Sequence, residues 1–151
     1  MKILDCTLRD AGYYSNWQYT DSEILDYCNI VNTLDVDMVE LGYRNPPDDI
    51  YKGSLYYCPT IILKKFSRLL NKDIEKYLML DLKVIQDIEL TVSRLKSVSK
   101  YITGVRIAVD ASKISKLNQL ISSIKSNNQC VTNAYKLLDN ISGYPTKEII
   151  I

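Results

Sequence analysis

Leu4-Asp5-Cys6-Thr7-Leu8-Arg9-Asp10, continuing into Ala11-Gly12, alternates apolar and polar side chains and ends on an adjacent Arg–Asp pair. Period-two alternation predicts a strand from Ile3 to Arg9, with Leu4, Cys6 and Leu8 on one face and Asp5, Thr7 and Arg9 on the other. Arg9 and Asp10 then lie at its C-terminal end, where Gly12 permits a sharp exit. An isolated Arg–Asp dipeptide in that place is ordinarily a surface ion pair. Here the whole string D-x-T-L-R-D-x-G stands beside Glu40 at the corresponding level of the second strand, which gives the pair a functional reading.

Outward from that segment, strands and helices alternate. Thr20 and Glu23 form a capping box ahead of a helix with Ile24, Cys28, Val31 and Leu34 as its apolar stripe. Met38 to Gly42 is a second strand. A long segment, Tyr43 to Pro59, leads to a helix carrying Ile62, Phe66 and Leu69. Tyr77 to Leu82 is a third strand, followed by a helix with Ile88, Val92, Leu95 and Val98. Gly104 to Val109 is a fourth, and Ser112 caps a helix with Ile114, Leu117, Ile121 and Ile124. Cys130 to Tyr135 is a fifth strand, and Pro145 with Thr146 reads as the start of another helix. Such alternation predicts right-handed βαβ units and a parallel sheet.

Two α/β architectures fit five units of about 30 residues each: the first five-eighths of a (β/α)8 barrel, or a complete doubly wound domain of flavodoxin type. The strand faces favour the barrel. Glu40, Asp81 and Arg106 oppose apolar faces, and Asn133 shares a face with Val131. A doubly wound sheet would bury those groups under helices at several kcal/mol for each unpaired charge, whereas a barrel places them in its mouth. The expected fold is a partial (β/α)8 barrel, residues 1–151 forming one domain, its N-terminal portion.

Composition narrows the function. The 151 residues are 46% hydrophobic and 25% charged, with 19 basic and 18 acidic side chains. That balance excludes a disordered chain and gives no field to steer the chain onto nucleic acid or an anionic membrane. No apolar run approaches the ~20 residues of a membrane helix, and a cytoplasmic location is expected. The absence of histidine removes the Ser-His-Asp triad, the Cys-His pair and every imidazole metal ligand. Cys6, Cys28, Cys58 and Cys130 form no C-x-x-C pair, so reduced, mostly buried thiols are expected. Nothing supports a nucleotide cofactor, since G-x-G-x-x-G and P-loop motifs are missing.

The string around Arg9-Asp10, taken with Glu40, resembles the signature of the DRE-TIM metallolyase superfamily, and Gly12-Tyr13-Tyr14-Ser15-Asn16-Trp17 looks most like its 4-hydroxy-2-oxovalerate aldolase branch. The resemblance implies an aldolase or lyase that cleaves a 4-hydroxy-2-oxo acid, or a similar pyruvate-derived substrate, through an enolate. It implies Asp10 as a ligand of a divalent metal (Mn, Mg or Zn), Arg9 as the group stabilising the enolate oxygen, and Glu40 as the acid that organises the surrounding shell. Two departures stand out: Ala11 replaces the usual Gly, and the family's His-x-His ligand pair is missing. One carboxylate with waters is a weak site even for Mg²⁺, so the 151-residue chain alone is expected to bind little or no metal and to be inactive. Three further βα units carrying His-x-His would complete the enzyme.

Other residues have smaller roles in this reading. Arg106 and Asn133 share the inward face and are candidates for substrate binding, with inner-layer packing as the alternative. Tyr13, Tyr14 and Trp17 are candidates to close over the mouth, and Asp81 is expected to pair with a neighbouring charge. An unclosed barrel exposes sheet edges, which predicts a homo-oligomer. The competing functions are a non-catalytic scaffold half-barrel and a flavodoxin-like ligand-binding domain.

Overall fold

The computed structural model describes residues 2–126, together with the backbone of residues 146–150. In chain order its elements are β1 (Leu4–Asp5), α1 (Thr7–Ser15), α2 (Asp21–Val31), β2 (Met38–Tyr43), α3 (Ser54–Tyr57) and α4 (Thr60–Leu69). They continue as β3 (Glu75–Asp81), α5 (Ile88–Lys96), β4 (Gly104–Asp110), α6 (Ile114–Ser126) and β5 (Thr146–Ile150). The sheet order is β1-β2-β3-β4-β5, the first four strands parallel and β5 antiparallel to β4. Sequential order is what a barrel wall requires. A flavodoxin-like sheet would insert β1 between β2 and β3, so that alternative falls.

The faces follow the alternation. Val39, Leu41, Leu78, Leu80, Val105, Ile107 and Val109 are buried together with Ile24, Cys28 and Val31 of α2, Leu63 and Phe66 of α4, Val92 and Leu95 of α5, and Leu117, Leu120 and Ile124 of α6. The opposite face carries Glu40, Met79 and Arg106. Arg106 on β4 donates to the Cys6 thiol just beyond β1. Three strand spacings on a flat sheet are about 14 Å, beyond the reach of the two side chains. The sheet therefore curves around its polar face, as a section of barrel wall does. Among the described residues, no helix is long and apolar enough to cross a membrane.

The expected capping box is present: Thr20 Oγ1 accepts from the Glu23 amide at 3.2 Å, and Glu23 accepts from the Thr20 amide at 2.7 Å. Thr20→Ala is expected to cost about 1 kcal/mol, read as a lowered urea midpoint at unchanged m-value; no shift would show that α2 is held by packing alone.

Several expectations are corrected. The first strand is two residues long, and Thr7 onward is helix. Asp5 accepts from the Thr7 amide at 3.2 Å and its hydroxyl at 2.8 Å, which turns the chain into α1. Leu8 and Gly12 are the buried positions of that helix, one turn apart. α2 ends at Val31 and leaves Leu34 exposed. Tyr43 belongs to β2, and the segment after it contains α3. Asp110, not Ser112, caps the 3₁₀ turn that precedes α6, accepting from the Ser112 amide at 2.9 Å. Ile114 is exposed. Thr146 to Ile150 is a strand, not a helix, in keeping with its β-branched Thr146, Ile149 and Ile150. The expected strand Cys130 to Tyr135, with Asn133, lies outside the described residues.

Candidate active site

Three elements converge at the C-terminal end of the sheet. Arg9 and Asp10 lie in the first turn of α1, Glu40 in β2 and Arg106 in β4. Glu40 is fully buried, and its carboxylate is held from both sides. Arg9 Nε contacts Oε1, while Arg106 Nη1 donates to Oε2 at 2.9 Å and to Cys6 Sγ at 3.3 Å. Arg9 Nη1 also pairs with Asp10 Oδ1 at 2.9 Å. The side chains of Arg9 and Arg106 keep only 12% and 11% of their surface. The Arg–Glu–Arg arrangement thus takes two cations out of water against one buried carboxylate, and it stands only while that carboxylate is ionised.

The electrostatics set burial against charge pairing. Burial alone would lower the Arg9 pKa, but the Glu40 carboxylate, the Tyr43 hydroxyl and Asp10 outweigh it and hold the guanidinium firmly charged. Burial pushes the Glu40 carboxyl up, and Arg106 and Arg9 oppose it. The Cys6 thiol is raised by burial and then by Glu40, against Arg106 and Arg9, which keeps it a neutral thiol at pH 7. Tyr43 is raised by burial and by its hydrogen bond to Tyr13, so it is a phenol that holds its proton.

Aromatic residues form the rim. Tyr13 and Tyr43 share a hydrogen bond of 2.8 Å between hydroxyls. The Trp17 ring packs edge-on to Tyr13 and Tyr43, at 5.0 and 5.8 Å, and tilted against Tyr56 at 5.0 Å. Trp17 Nε1 donates to the Arg9 carbonyl at 3.0 Å, which ties α1 to this cluster. Asn16 and Trp17 both adopt left-handed backbone, φ 51° and 52°, a conformation uncommon outside glycine. Trp17 O accepts from the Leu55 amide at 3.1 Å, anchoring the strained turn to α3. Tyr14 is almost wholly exposed and takes no part.

Of the expected site residues, Arg9, Asp10, Glu40, Arg106 and Tyr13 come together, whereas Asn133 lies outside the described residues. Asp81 does not pair with a charge among the described residues; its Oδ1 accepts from the Lys83 amide at 2.9 Å and closes the turn after β3. Tyr43 and Cys6 were not foreseen. The pairing of β2 with β3 slips between Glu40 and Tyr43, so counting by twos from Glu40 assigns Tyr43 to the wrong face. Gly42 was the available signal, because glycine inside a strand often marks such a bulge. A Cβ there would stand 2.2 Å from the Leu55 carbonyl oxygen.

For a divalent cation, the described residues offer an incomplete donor set. Asp10 is more than half exposed and has a carboxylate oxygen to give, but Glu40 is committed to two guanidiniums and Cys6 is a protonated thiol. Hard cations take six or more oxygen ligands, so Asp10 can contribute one position and no more.

No protein-family model and no curated protein matches the chain. A solved structure does: the "N-terminal domain of a putative aldolase from Bacteroides vulgatus", 36% identical, with a TM-score of 0.71 over 83% of this chain. The match covers 41% of that solved chain, so this chain spans less than half of its length. The curved sheet, its first four strands parallel, is an aldolase-related fold.

Proposed function

We propose that this chain supplies the enolate-stabilising half of a metal-dependent carbon–carbon lyase of the DRE-TIM type, acting on a 4-hydroxy-2-oxo acid or a similar pyruvate-derived substrate. The observation that carries this reading is the Arg9 guanidinium, fixed by Glu40 and Asp10 at the C-terminal end of the sheet. Cleaving the bond next to a 2-oxo group leaves negative charge on the carbonyl oxygen. A cation that is already desolvated and oriented stabilises that charge without reorganising during the step. Glu40 and Arg106 position Arg9, and the Tyr13–Tyr43 hydroxyls border the same space, where the Tyr43 phenol can hold a proton beside the guanidinium. Asp10 would hold one coordination position of a Mn, Mg or Zn ion, which supplies Lewis-acid polarisation of the 2-oxo group when bound. Its other ligands would come from outside the described residues.

The test uses 4-hydroxy-2-oxovalerate, Mn²⁺ and a pyruvate-coupled readout. A full-length barrel containing this chain is expected to release pyruvate, and Arg9→Lys to lower kcat by 10²-fold or more, since a point charge does not replace the oriented fork. The isolated 151-residue chain is expected to show no turnover. A full-length protein that cleaves no 4-hydroxy-2-oxo acid, or an Arg9→Lys variant with unchanged kcat, would remove the assignment. Sheet edges left open by a partial wall would pair between copies, and sedimentation at rising concentration reads this out.

A further inference from the structure

Away from the Arg9 site, the segment after β2 and the start of α5 enclose a second concavity. It has a volume of about 470 Å³; Pro46, Pro47, Tyr56 and Leu90 form its apolar wall, with Lys83 and Arg94 among its polar lining. That size lies within the range of small-molecule sites. Its charges are unevenly satisfied. Asp48 is paired with Lys52 at 2.7 Å, and Lys52 Nζ also sits 4.8 Å from the Tyr56 ring centroid. Asp87 is engaged in capping α5, accepting from the Leu90 amide at 2.9 Å.

Arg94 has no such carboxylate. Its Nη2 donates to the Asn45 carbonyl at 2.9 Å, and among the described residues it forms no ion pair. Burial lowers its pKa with no acidic neighbour to offset the loss. Arg44 lies beside it, donating to the carbonyls of Tyr57 and Cys58 at 3.1 and 2.8 Å, and its own pKa is lowered by burial and then by the Arg94 cation. Arg44 Nε is buried without a partner. Two neighbouring guanidiniums, partly desolvated and lacking a counter-charge, are costly unless an anion joins them.

We propose that this cleft binds a small organic carboxylate with a flat apolar body, its carboxylate on the Arg94 fork and its body against Pro46, Pro47, Tyr56 and Leu90. The guanidinium fork matches a carboxylate in two parallel hydrogen bonds, and the proline and aromatic wall offers a flat apolar body contacts that a small hydrated ion cannot use. The site is distinct from Arg9 and does not depend on the lyase reading. Tyr56 separates the two, packing against Trp17 and Tyr43 on one side while it lines the cleft.

The test is a titration of the full chain with benzoate, following backbone amides and the Arg94 Nε–H by ¹H–¹⁵N NMR. Saturable shifts are expected at Arg94, Leu90 and Asn45. Arg94→Gln is expected to weaken binding about tenfold or more, and Arg94→Lys by nearly as much. Because Arg94 also holds the Asn45 loop, Leu90→Glu serves as the second variant. It places a carboxylate at an exposed wall position and is expected to weaken benzoate to a similar extent without disturbing the spectrum elsewhere. Saturating pyruvate is expected to leave the benzoate curve unmoved. The proposal is overturned by non-saturable shifts, by wild-type affinity in either Arg94→Gln or Leu90→Glu, by displacement with pyruvate, or by inorganic phosphate binding as tightly as benzoate.

Discussion

Glu40→Gln is expected to destabilise the protein by about 3–5 kcal/mol, the cost of leaving buried charge uncompensated. Glutamine keeps the volume and one acceptor but removes the charge that neutralises Arg9 and Arg106, whose side chains are nearly buried on either side of it. Asp10 offsets part of the Arg9 charge from the exposed side. A domain stable by some 5–15 kcal/mol would lose a large share of its margin. Urea unfolding followed by far-UV circular dichroism measures the loss. The double variant Glu40→Leu/Arg106→Met is expected to recover part of it, because it removes the Arg106 desolvation cost while Arg9 keeps Asp10. A single-variant loss below about 1 kcal/mol would mean that water reaches this carboxylate, and the buried clamp would have to be abandoned.

Gly12→Ala is the second large effect, and its sign runs against helix propensity. On an ordinary exposed helix, alanine in place of glycine gains about 1 kcal/mol. Here a Cβ at position 12 would fall 2.0 Å from Cδ1 and Nε1 of Trp17. The indole cannot swing away, being buried between Tyr13, Tyr43 and Tyr56 and bonded to the Arg9 carbonyl. Overpacking of this kind costs about 1–3 kcal/mol. The displaced ring would also shift α1 and Arg9 with it. Thermal melts of Gly12→Ala against wild type decide the matter; a raised midpoint would show that the ring yields.

Much of the fold was legible because its signals are local. Thr20 and Glu23 lie three residues apart and meet through the geometry of one helical turn. Glu40 and Arg106 stand out as charges in otherwise apolar strands, and their alternation placed them on one face. The first segment misled because two periods coexist in it: Leu4, Cys6 and Leu8 alternate as in a strand, while Leu8 and Gly12 are spaced as in a helix. Asp5, with its Asx-type bonds to Thr7, decides between them, and that choice shows only in coordinates. Tyr43 escaped because a bulge resets the count of faces. The cleft beside Arg94 joins Pro46 to Leu90 across two connections, and no single stretch of chain announces such a meeting. Of the cysteines, Cys28 and Cys58 are buried and Cys6 is half-buried, with Cys28 pushed up to about 11 by burial, while Cys130 lies outside the described residues.

Trp17 is the single tryptophan of the chain. Its indole touches the Arg9 backbone and three tyrosine rings, so the molecule carries a built-in fluorophore at its mouth. Excitation of those phenols should funnel into one emitter, and whatever settles beside Arg9 should register as a change in its colour or brightness, with no label attached.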